Sequence, residues 1–218
     1  MTALPLFVWL SPAFPVGAYA YSHGLEWAAE AGDVHDAPTL TAWLEDLADH
    51  GPPRLDVTLF AAAWRAADDP VALADVNALA IALAGSQERR LETTAQGTAF
   101  VTAARAAWPC PALEGLAGEA VAYPVAVGAA AAGHGIALEA AAPAFATALF
   151  GNLVSAAIRL SVVGQTDGQK LIAHLSPRLA KMAAQAMHED PENMGACAFR
   201  SEIAAMKHET QYSRLFRS

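Results

Sequence analysis

The stretch that decides the fold runs from Ala120 to Ile158 and reads AVAYPVAVGAAAAGHGIALEAAAPAFATALFGNLVSAAI. Its one acidic or basic residue, Glu139, separates two uncharged runs that are each long enough to cross a membrane as a helix. The first run contains Pro124 and three glycines, and both runs are mostly alanine, which contributes less to membrane insertion than leucine, isoleucine or phenylalanine. The two runs could form either a membrane hairpin or an alanine-packed core. Their composition favours the core of a soluble helical bundle that does not bind a membrane.

The rest of the chain repeats with the period of a helix and has no convincing strand. In residues 36–51 the apolar positions 40, 43, 44 and 47 share one helix face, with Asp36 as the predicted N-cap and Gly51 as the predicted end. Asp69 followed by Pro70 predicts the start of another helix. The patterns predict an all-α fold, with residues 1–209 forming a single compact helical bundle domain of about ten helices. Further helices are predicted within residues 53–70, 70–85, 86–108, 113–121, 120–138, 140–163 and 197–209.

One polar junction interrupts the apolar pattern in the second half of the chain. The sequence GQTDGQK, Gly164 to Lys170, is predicted to end one helix and, with Asp167 as N-cap, to begin another at Gln169. The dipeptide Ser176-Pro177 is predicted to interrupt or kink that second helix, which extends to about His188.

Charge and cysteine content exclude several classes of protein. The chain has 13 basic and 22 acidic residues, a net charge of −9, so it repels nucleic acid rather than binding it. Its two cysteines, Cys110 and Cys197, are far apart in sequence and form no metal-binding or redox motif. A reducing, cytoplasmic location is therefore expected.

No motif in the sequence indicates catalysis or a cofactor. None of the seven histidines occurs in a zinc-binding pattern, no serine lies in a nucleophile elbow, and GQTDGQK lacks the Gly-Lys-Ser/Thr order of a phosphate-binding loop. The expectation is a protein without bound metal or cofactor. The alternative is a helical metal-dependent hydrolase whose ligands meet only in three dimensions, from residues such as His23, His134, His208 and Glu209.

Four segments together resemble one known family. They are SPAFPVGAYAYSHGLE at residues 11–26, YPVAVGAAAAGHGI at 123–136, AAIRLSVVGQTDGQKLI at 156–172 and EIAAMKHETQYSRLFRS at 202–218. In this order, and over nearly the whole chain, they are similar to the urease accessory protein F family, UreF.

The resemblance implies an all-α, non-catalytic assembly factor. Members of the family form homodimers, bind the accessory protein D or H, recruit the GTP-binding accessory protein G and dock on apo-urease so that nickel reaches its site. A regulatory role toward the partner GTPase is also implied.

Partner-binding residues are expected in three places. Near the N-terminus, aromatic side chains on a bend rigidified by proline serve either a protein contact or the closing of the core. At the polar junction, Gln165 is the residue expected to meet a partner. The full set of candidates is Tyr19, Tyr21, His23, Gln165, Arg200, Lys207, His208, Tyr212, Arg214, Leu215, Phe216 and Arg217.

The last candidates lie in residues 210–218, called the tail from here on. The tail mixes aromatic and arginine side chains and has no helical period. Residues 199–218 carry four basic and two acidic side chains, so this end has a net charge of +2 while the remainder carries −11. We expect a tail that is mobile in the free protein and docks into an acidic groove of accessory protein D, and the alternative is a tail folded back on its own bundle.

Overall fold

The computed structural model describes residues 3–116, 118, 120–193, 195 and 197–217, and over these ranges it is helical without a β-strand. This confirms the all-α prediction. Short 3₁₀ turns lie at Ala18–Ala20 and Pro191–Asn193. The α-helices are α1 Leu4–Trp9, α2 Leu25–Glu30, α3 Ala37–His50, α4 Pro52–Arg65, α5 Pro70–Ala82, α6 Gln87–Ala107, α7 Pro111–Gly115, α8 Tyr123–Gly133, α9 Leu138–Arg159, α10 Gln165–Ala186 and α11 Phe199–His208.

Side-chain caps fix several of these helix starts as the sequence predicts. At α3 the Asp36 carboxylate accepts a hydrogen bond from the Thr39 amide at 2.9 Å, and the Asp36 amide donates back to the Thr39 hydroxyl at 3.1 Å. Asp69 caps α5 as predicted, by accepting from the amides of Val71 and Ala72, and Ser86, which was not predicted as a cap, accepts from the Arg89 amide at the start of α6. Each cap satisfies amides at the helix start that have no partner within the helix.

The alanine-rich helix α8 forms the centre of the bundle. Nearly all its residues are buried, and it packs against α4, α6 and α9. At Gly128 the backbone of α8 comes so close to α4 that an added Cβ would lie 2.3 Å from the Phe60 carbonyl oxygen. On the other side of α4 the Phe60 ring stacks on Phe145 of α9 with 4.9 Å between ring centroids. Small side chains on α8 thus let three helices approach closely.

Helix α9 is the one helix in the described ranges that is long and apolar enough to cross a membrane by length and composition. More than half of its apolar window is buried inside the protein, as in a core helix. It ends at Arg159 rather than Val163 because Ser161 adopts a left-handed φ of 62°.

The start of α10 differs from the prediction. The helix begins at Gln165 with Gly164 as its N-cap, four residues before Gln169, so Asp167 is not a cap. Asp167 instead lies in the first turn, where its Oδ1 accepts from Lys170 Nζ at 2.9 Å. An acidic residue in the first turn also stabilises the positive end of the helix dipole.

Of the interruption or kink predicted at Ser176-Pro177, the interruption is wrong. Helix α10 continues through Pro177 to Ala186, with Leu175, Leu179 and Met182 buried on both sides of the proline. Burial of these side chains in one core outweighs the single backbone hydrogen bond that proline lacks. Helix α7 ends at Gly115, and residues 117 and 119 of the helix predicted over 113–121 lie outside the described ranges.

We predict that Gly128→Ala destabilises the protein by about 1–3 kcal/mol, because the new methyl group overlaps the Phe60 carbonyl. The matched control is Gly151→Ala in α9, where an added Cβ meets no atom within 4 Å. That variant should be neutral or more stable by about 0.5–1 kcal/mol, since alanine loses less entropy than glycine in a helix. Urea unfolding measures both free energies, and equal effects of the two substitutions would contradict the close approach.

Candidate functional site

A fully buried histidine at the end of α11 lies between two carboxylates from other helices. The Nδ1 atom of His208 is 2.8 Å from Oε2 of Glu88 in α6, and its Nε2 atom is 3.0 Å from Oε2 of Glu26 in α2. His208 reaches this position because it shares the buried face of α11 with residues 201, 204 and 205. An added Cβ on Gly24, just before α2, would lie 2.6 Å from the backbone nitrogen of Ala205, so α2 and α11 are in close contact.

The tail runs directly over this histidine and completes its surroundings. The Glu26 carboxylate accepts hydrogen bonds from the backbone amides of Leu215 at 2.6 Å and Phe216 at 2.9 Å. The Arg214 guanidinium donates to Oε1 of Glu88 at 2.9 Å. His208, Glu26, Glu88 and Arg214 form what we call the His208 cluster, which joins α2, α6, α11 and the tail.

The end of the tail is packed into the body of the protein. Phe216 is buried, and the Arg159 guanidinium lies 4.2 Å from the centre of its ring. The Arg217 amide donates to the Ala20 carbonyl at 2.7 Å, and the Arg217 side chain hydrogen bonds to Tyr21. Burial, followed by the nearby Glu92 charge, raises the pKa of Tyr21, although the bond to Arg217 opposes the rise.

These contacts correct the expectation of a free tail. Over residues 210–217 the structure has the alternative arrangement, a tail folded back on its own bundle; Ser218 lies outside the described ranges. The physical reason is that Phe216 removes its ring from water and the buried Glu26 carboxylate gains two amide donors.

A second buried polar group, the Arg89 network, consists of His23, Asp56, Arg89 and Glu92. Arg89 donates to Asp56 at 3.0 Å, to Glu92 at 2.7 Å and to Nδ1 of His23 at 3.1 Å. The Nε2 atom of His23 is 2.9 Å from Glu92. Gln96 adds an amide donor to Glu92 at 2.9 Å.

Burial and charge pairing set the protonation of this network. Burial alone would raise the pKa of Glu92, but His23 and Arg89 beside it outweigh burial and lower that pKa to about 2. Burial raises the pKa of Asp56 despite its contact with Arg89. The pKa of Arg89 is raised by Glu92 and Asp56, against the opposing effect of burial. Arg89 therefore holds α4, α6 and the N-terminal segment together as a permanent cation.

A cavity of about 230 Å³ lies beside the Arg89 network. Asp56 and Arg89 line it together with apolar side chains such as Leu47, Leu55 and Leu59. Asp56 and Arg89 are bonded to each other across its wall, and Glu202 of α11 also lines it.

The structure does not gather the residues of the metal-dependent hydrolase. His134 Nε2 is 3.0 Å from the Trp108 carbonyl oxygen, and Glu209 accepts from the Gln87 amide at 3.0 Å, while His23 and His208 lie in the two groups described above. The two carboxylates beside His208 face opposite nitrogens of its ring, so one ion could not bind all three side chains. In the described ranges no group of three or more His, Cys, Asp or Glu side chains is arranged to hold a metal ion.

The candidate partner-binding residues divide between surface and interior. Tyr21, His208 and Phe216 are buried, and His23 is mostly covered, so Tyr21 takes part in closing the core. Arg214 and Arg217 are on the surface but already bonded to Glu88 and Tyr21, respectively. The remaining candidates are exposed: Tyr19, Gln165, Arg200, Lys207, Tyr212 and Leu215.

Exposed apolar side chains are concentrated at the C-terminal end. Five of the eleven large apolar residues that are exposed in the described ranges lie between positions 199 and 215. We call them the α11–tail residues: Phe199, Ile203 and Met206, which share one face of α11, and Tyr212 and Leu215 in the tail. These exposed side chains are the candidates for a protein contact at this end of the molecule.

Sequence reasoning missed the buried carboxylates Glu26, Glu88 and Glu92. A signal was present, because positions 88, 92 and 96 are spaced by four and continue into the buried Phe100 on the same face of α6. Polar residues at core-facing positions of an amphipathic helix indicate a buried hydrogen-bond network.

Comparisons with known proteins assign the chain to a family. The family model UreF matches residues 34–176. A urease accessory protein UreF from Methylobacterium radiotolerans is 54% identical, with 100% of this chain and 97% of the relative covered. Proteins of the same description from Xanthobacter autotrophicus, 52% identical over 100% of this chain and 92% of the relative, and from Mesorhizobium japonicum, 54% identical over 99% and 96%, are similar throughout.

We predict that Glu92→Gln loses roughly 2–3 kcal/mol of stability near neutral pH, because the charge that pairs with Arg89 is removed. A folded-state pKa of about 2 lies below the ordinary value of 4.5, so the charge stabilises the fold above about pH 4.5 and less as the pH falls toward 2. The free-energy gap between wild type and variant should therefore narrow from about pH 5 to about pH 3 in urea unfolding. The exposed control Asp75→Asn should keep a constant gap, and a pH-independent gap for Glu92→Gln would contradict the pairing.

Proposed function

Because this chain belongs to the UreF family of urease accessory proteins, we propose that it is the scaffold that brings the nickel-insertion machinery onto apo-urease. Its role as a urease accessory protein follows from the family. The finer proposal is that it bridges the D/H accessory protein and the GTP-binding accessory protein G, in the cytoplasm and as a homodimer.

The single observation that carries the bridging proposal is the exposure of the α11–tail residues. Tyr212 is fully exposed, and Phe199 and Leu215 are each about two-thirds exposed. A side chain of this kind is costly to leave in water and gains most from burial in a partner. We assign these residues to the contact with accessory protein D/H.

Charge supports an acidic site on that partner. Residues 199–218 carry a net charge of +2 in a chain whose net charge is −9. Arg200 and Lys207 are exposed on α11 beside the apolar face. A basic rim around apolar anchors speeds association with an acidic groove and disfavours other partners.

For accessory protein G the proposal is regulation by contact. Residues 165–170 form the first turn of α10, and they lack the lysine and serine order that holds nucleotide phosphates. Nucleotide chemistry is therefore assigned to the partner, and exposed Gln165 is a candidate for its contact.

A homodimer is proposed on the family relationship. Light scattering of the purified chain should give twice the mass of 22.7 kDa at working concentrations. A monomer at every concentration, with and without accessory protein D, would refute the dimer.

We predict that the double substitution Tyr212→Ala and Leu215→Ala lowers the affinity for accessory protein D/H by about tenfold or more, since two aromatic or aliphatic anchors are lost. Stability should remain unchanged, because both side chains are exposed. Binding is measured by co-purification and calorimetry with the isolated partner, and urease activation in cells gives the functional readout.

The matched control is Val71→Ala, which trims an equally exposed apolar side chain on α5. It should leave binding at wild-type strength. Point substitutions are preferred to deletion of the tail, because deletion would also remove buried Phe216 and the donors to Glu26. Undiminished binding of the double variant would place the contact elsewhere.

A further inference from the structure

We propose that the His208 cluster holds one proton more than a neutral imidazole and two carboxylates, and that this proton fixes the tail against the body. His208 then positions the tail, and the attachment of the tail to the bundle weakens at alkaline pH.

The first step is the hydrogen-bond geometry of the ring. Both nitrogens of His208 lie within 3.0 Å of carboxylate oxygens, Nδ1 of Glu88 and Nε2 of Glu26. A neutral imidazole has one donor nitrogen and one acceptor nitrogen, and an ionised carboxylate only accepts. With a neutral ring, one of the two contacts would therefore set lone pair against lone pair.

His23 shows the contrasting arrangement in the same protein. Its Nδ1 faces the Arg89 guanidinium, which only donates, and its Nε2 faces Glu92. A ring with one proton on Nε2 satisfies both contacts. The contacts of His23 therefore do not require a second ring proton, whereas those of His208 do.

The extra proton lies on the His208 ring rather than on either carboxylate. Each carboxylate already accepts from other donors, Glu26 from the amides of Leu215 and Phe216 and Glu88 from Arg214. These donors stabilise both carboxylates in the ionised form, so the ring takes both protons. Two carboxylates, one imidazolium and one guanidinium then sum to zero charge.

The third step is the consequence of losing that proton. The cluster would carry a net negative charge at a site where His208 is fully buried and Glu26 and Glu88 are nearly so. An uncompensated buried charge is strongly destabilising. Water relieves this charge when it reaches the two carboxylates, and the segment that covers them is the tail, which supplies Arg214 and the two backbone amides.

The groups that contact the ring come from every element packed around it: Glu26 from α2, Glu88 from α6 and, through Glu88, Arg214 from the tail. Farther along the tail, Arg217 contacts Tyr21, whose pKa is raised above its ordinary value by burial. Histidine is the side chain of this set that ordinarily changes charge between about pH 5 and 8. A loss of tail docking between about pH 6 and about pH 9 is thus attributed to the His208 cluster.

Attachment of the tail to the bundle also affects partner binding, and this consequence rests on the function proposed above. The backbone amides of Leu215 and Phe216 are held by Glu26, so the cluster sets the register in which Leu215 points outward and Phe216 inward. A tail held in this register meets a partner without a further loss of chain entropy.

The test measures the tail in the isolated full chain, where no partner is needed. Nitrogen-15 NMR of the imidazoles at about pH 6 should show both nitrogens of His208 protonated and a single protonated nitrogen on His23. Carboxypeptidase release of Arg217 and Phe216 should be about tenfold or more faster at about pH 9 than at about pH 6. A free peptide of residues 209–218 corrects for the pH dependence of the protease.

Glu88→Gln is the decisive variant. Its amide nitrogen can donate to Nδ1 of a neutral ring while its oxygen still accepts from Arg214, so the cluster no longer requires the extra proton. Release of the tail residues should then be equally slow at both pH values. The control Glu114→Gln, which removes an exposed carboxylate paired with Arg105, should behave as wild type.

The proposal is overturned if His208 carries one ring proton at about pH 6, or if the wild-type release rate does not change with pH. It is also overturned if the release rate of Glu88→Gln rises with pH as the wild-type rate does. The NMR measurement on wild type decides the matter even where the variant does not fold. Since none of these readouts involves a partner, they separate this proposal from the partner-binding role, which the Tyr212 and Leu215 substitutions test.

Discussion

Burial of the Glu26 carboxylate is the constraint on which the arrangement of both chain ends depends. A carboxylate removed from water is destabilising unless donors surround it. Glu26 lies in α2, near the N-terminus, and the donors that the structure gives it are the His208 ring and the amides of Leu215 and Phe216 near the C-terminus. The Glu26 side chain of α2 can therefore be buried only when α11 and the tail are in place. The two ends fold as one unit, about 190 residues apart in sequence.

The centre of the bundle depends on the opposite property, the lack of side-chain bulk. Gly128 in α8 lets its backbone approach α4, and Gly97 in α6 similarly faces the chain just before α8, with an added Cβ 2.0 Å from the Val121 carbonyl oxygen. Helices that approach this closely keep their apolar contacts short and leave little room for rearrangement. The C-terminal end is joined to the bundle differently, by the buried Phe216 together with the hydrogen bonds and charge pairs of the His208 cluster.

The sequence predicted the helical class and several helix starts because those depend on local signals. The capping side chains Asp36 and Asp69 act within three residues, and the period of apolar residues is visible in any window. The errors occurred where tertiary packing outweighs local preference, as at Pro177 and Asp167 in α10. The His208 cluster could not be predicted, since its two carboxylates are 120 and 182 residues away from His208 in sequence. Nothing in the sequence around His208 indicates that its two ring nitrogens face carboxylates from α6 and α2.

Some side chains of the tail attach it to the bundle, and others face solvent, where a partner can bind them. The tail is irregular, with bends at residues 212–213 and 215–216, and its neighbouring side chains face different surroundings. Arg214 and Phe216 take part in contacts with Glu88 and Arg159, whereas Leu215 between them is exposed. The inward residues supply the energy that fixes the segment, and the outward residue is left available for a partner. Because the inward contacts include a charged cluster, the strength of docking is set by protonation as well as by apolar burial. An apolar anchor alone would hold the tail equally at every pH. The tail instead lies over Glu26 and Glu88, so the strength of its attachment changes with pH.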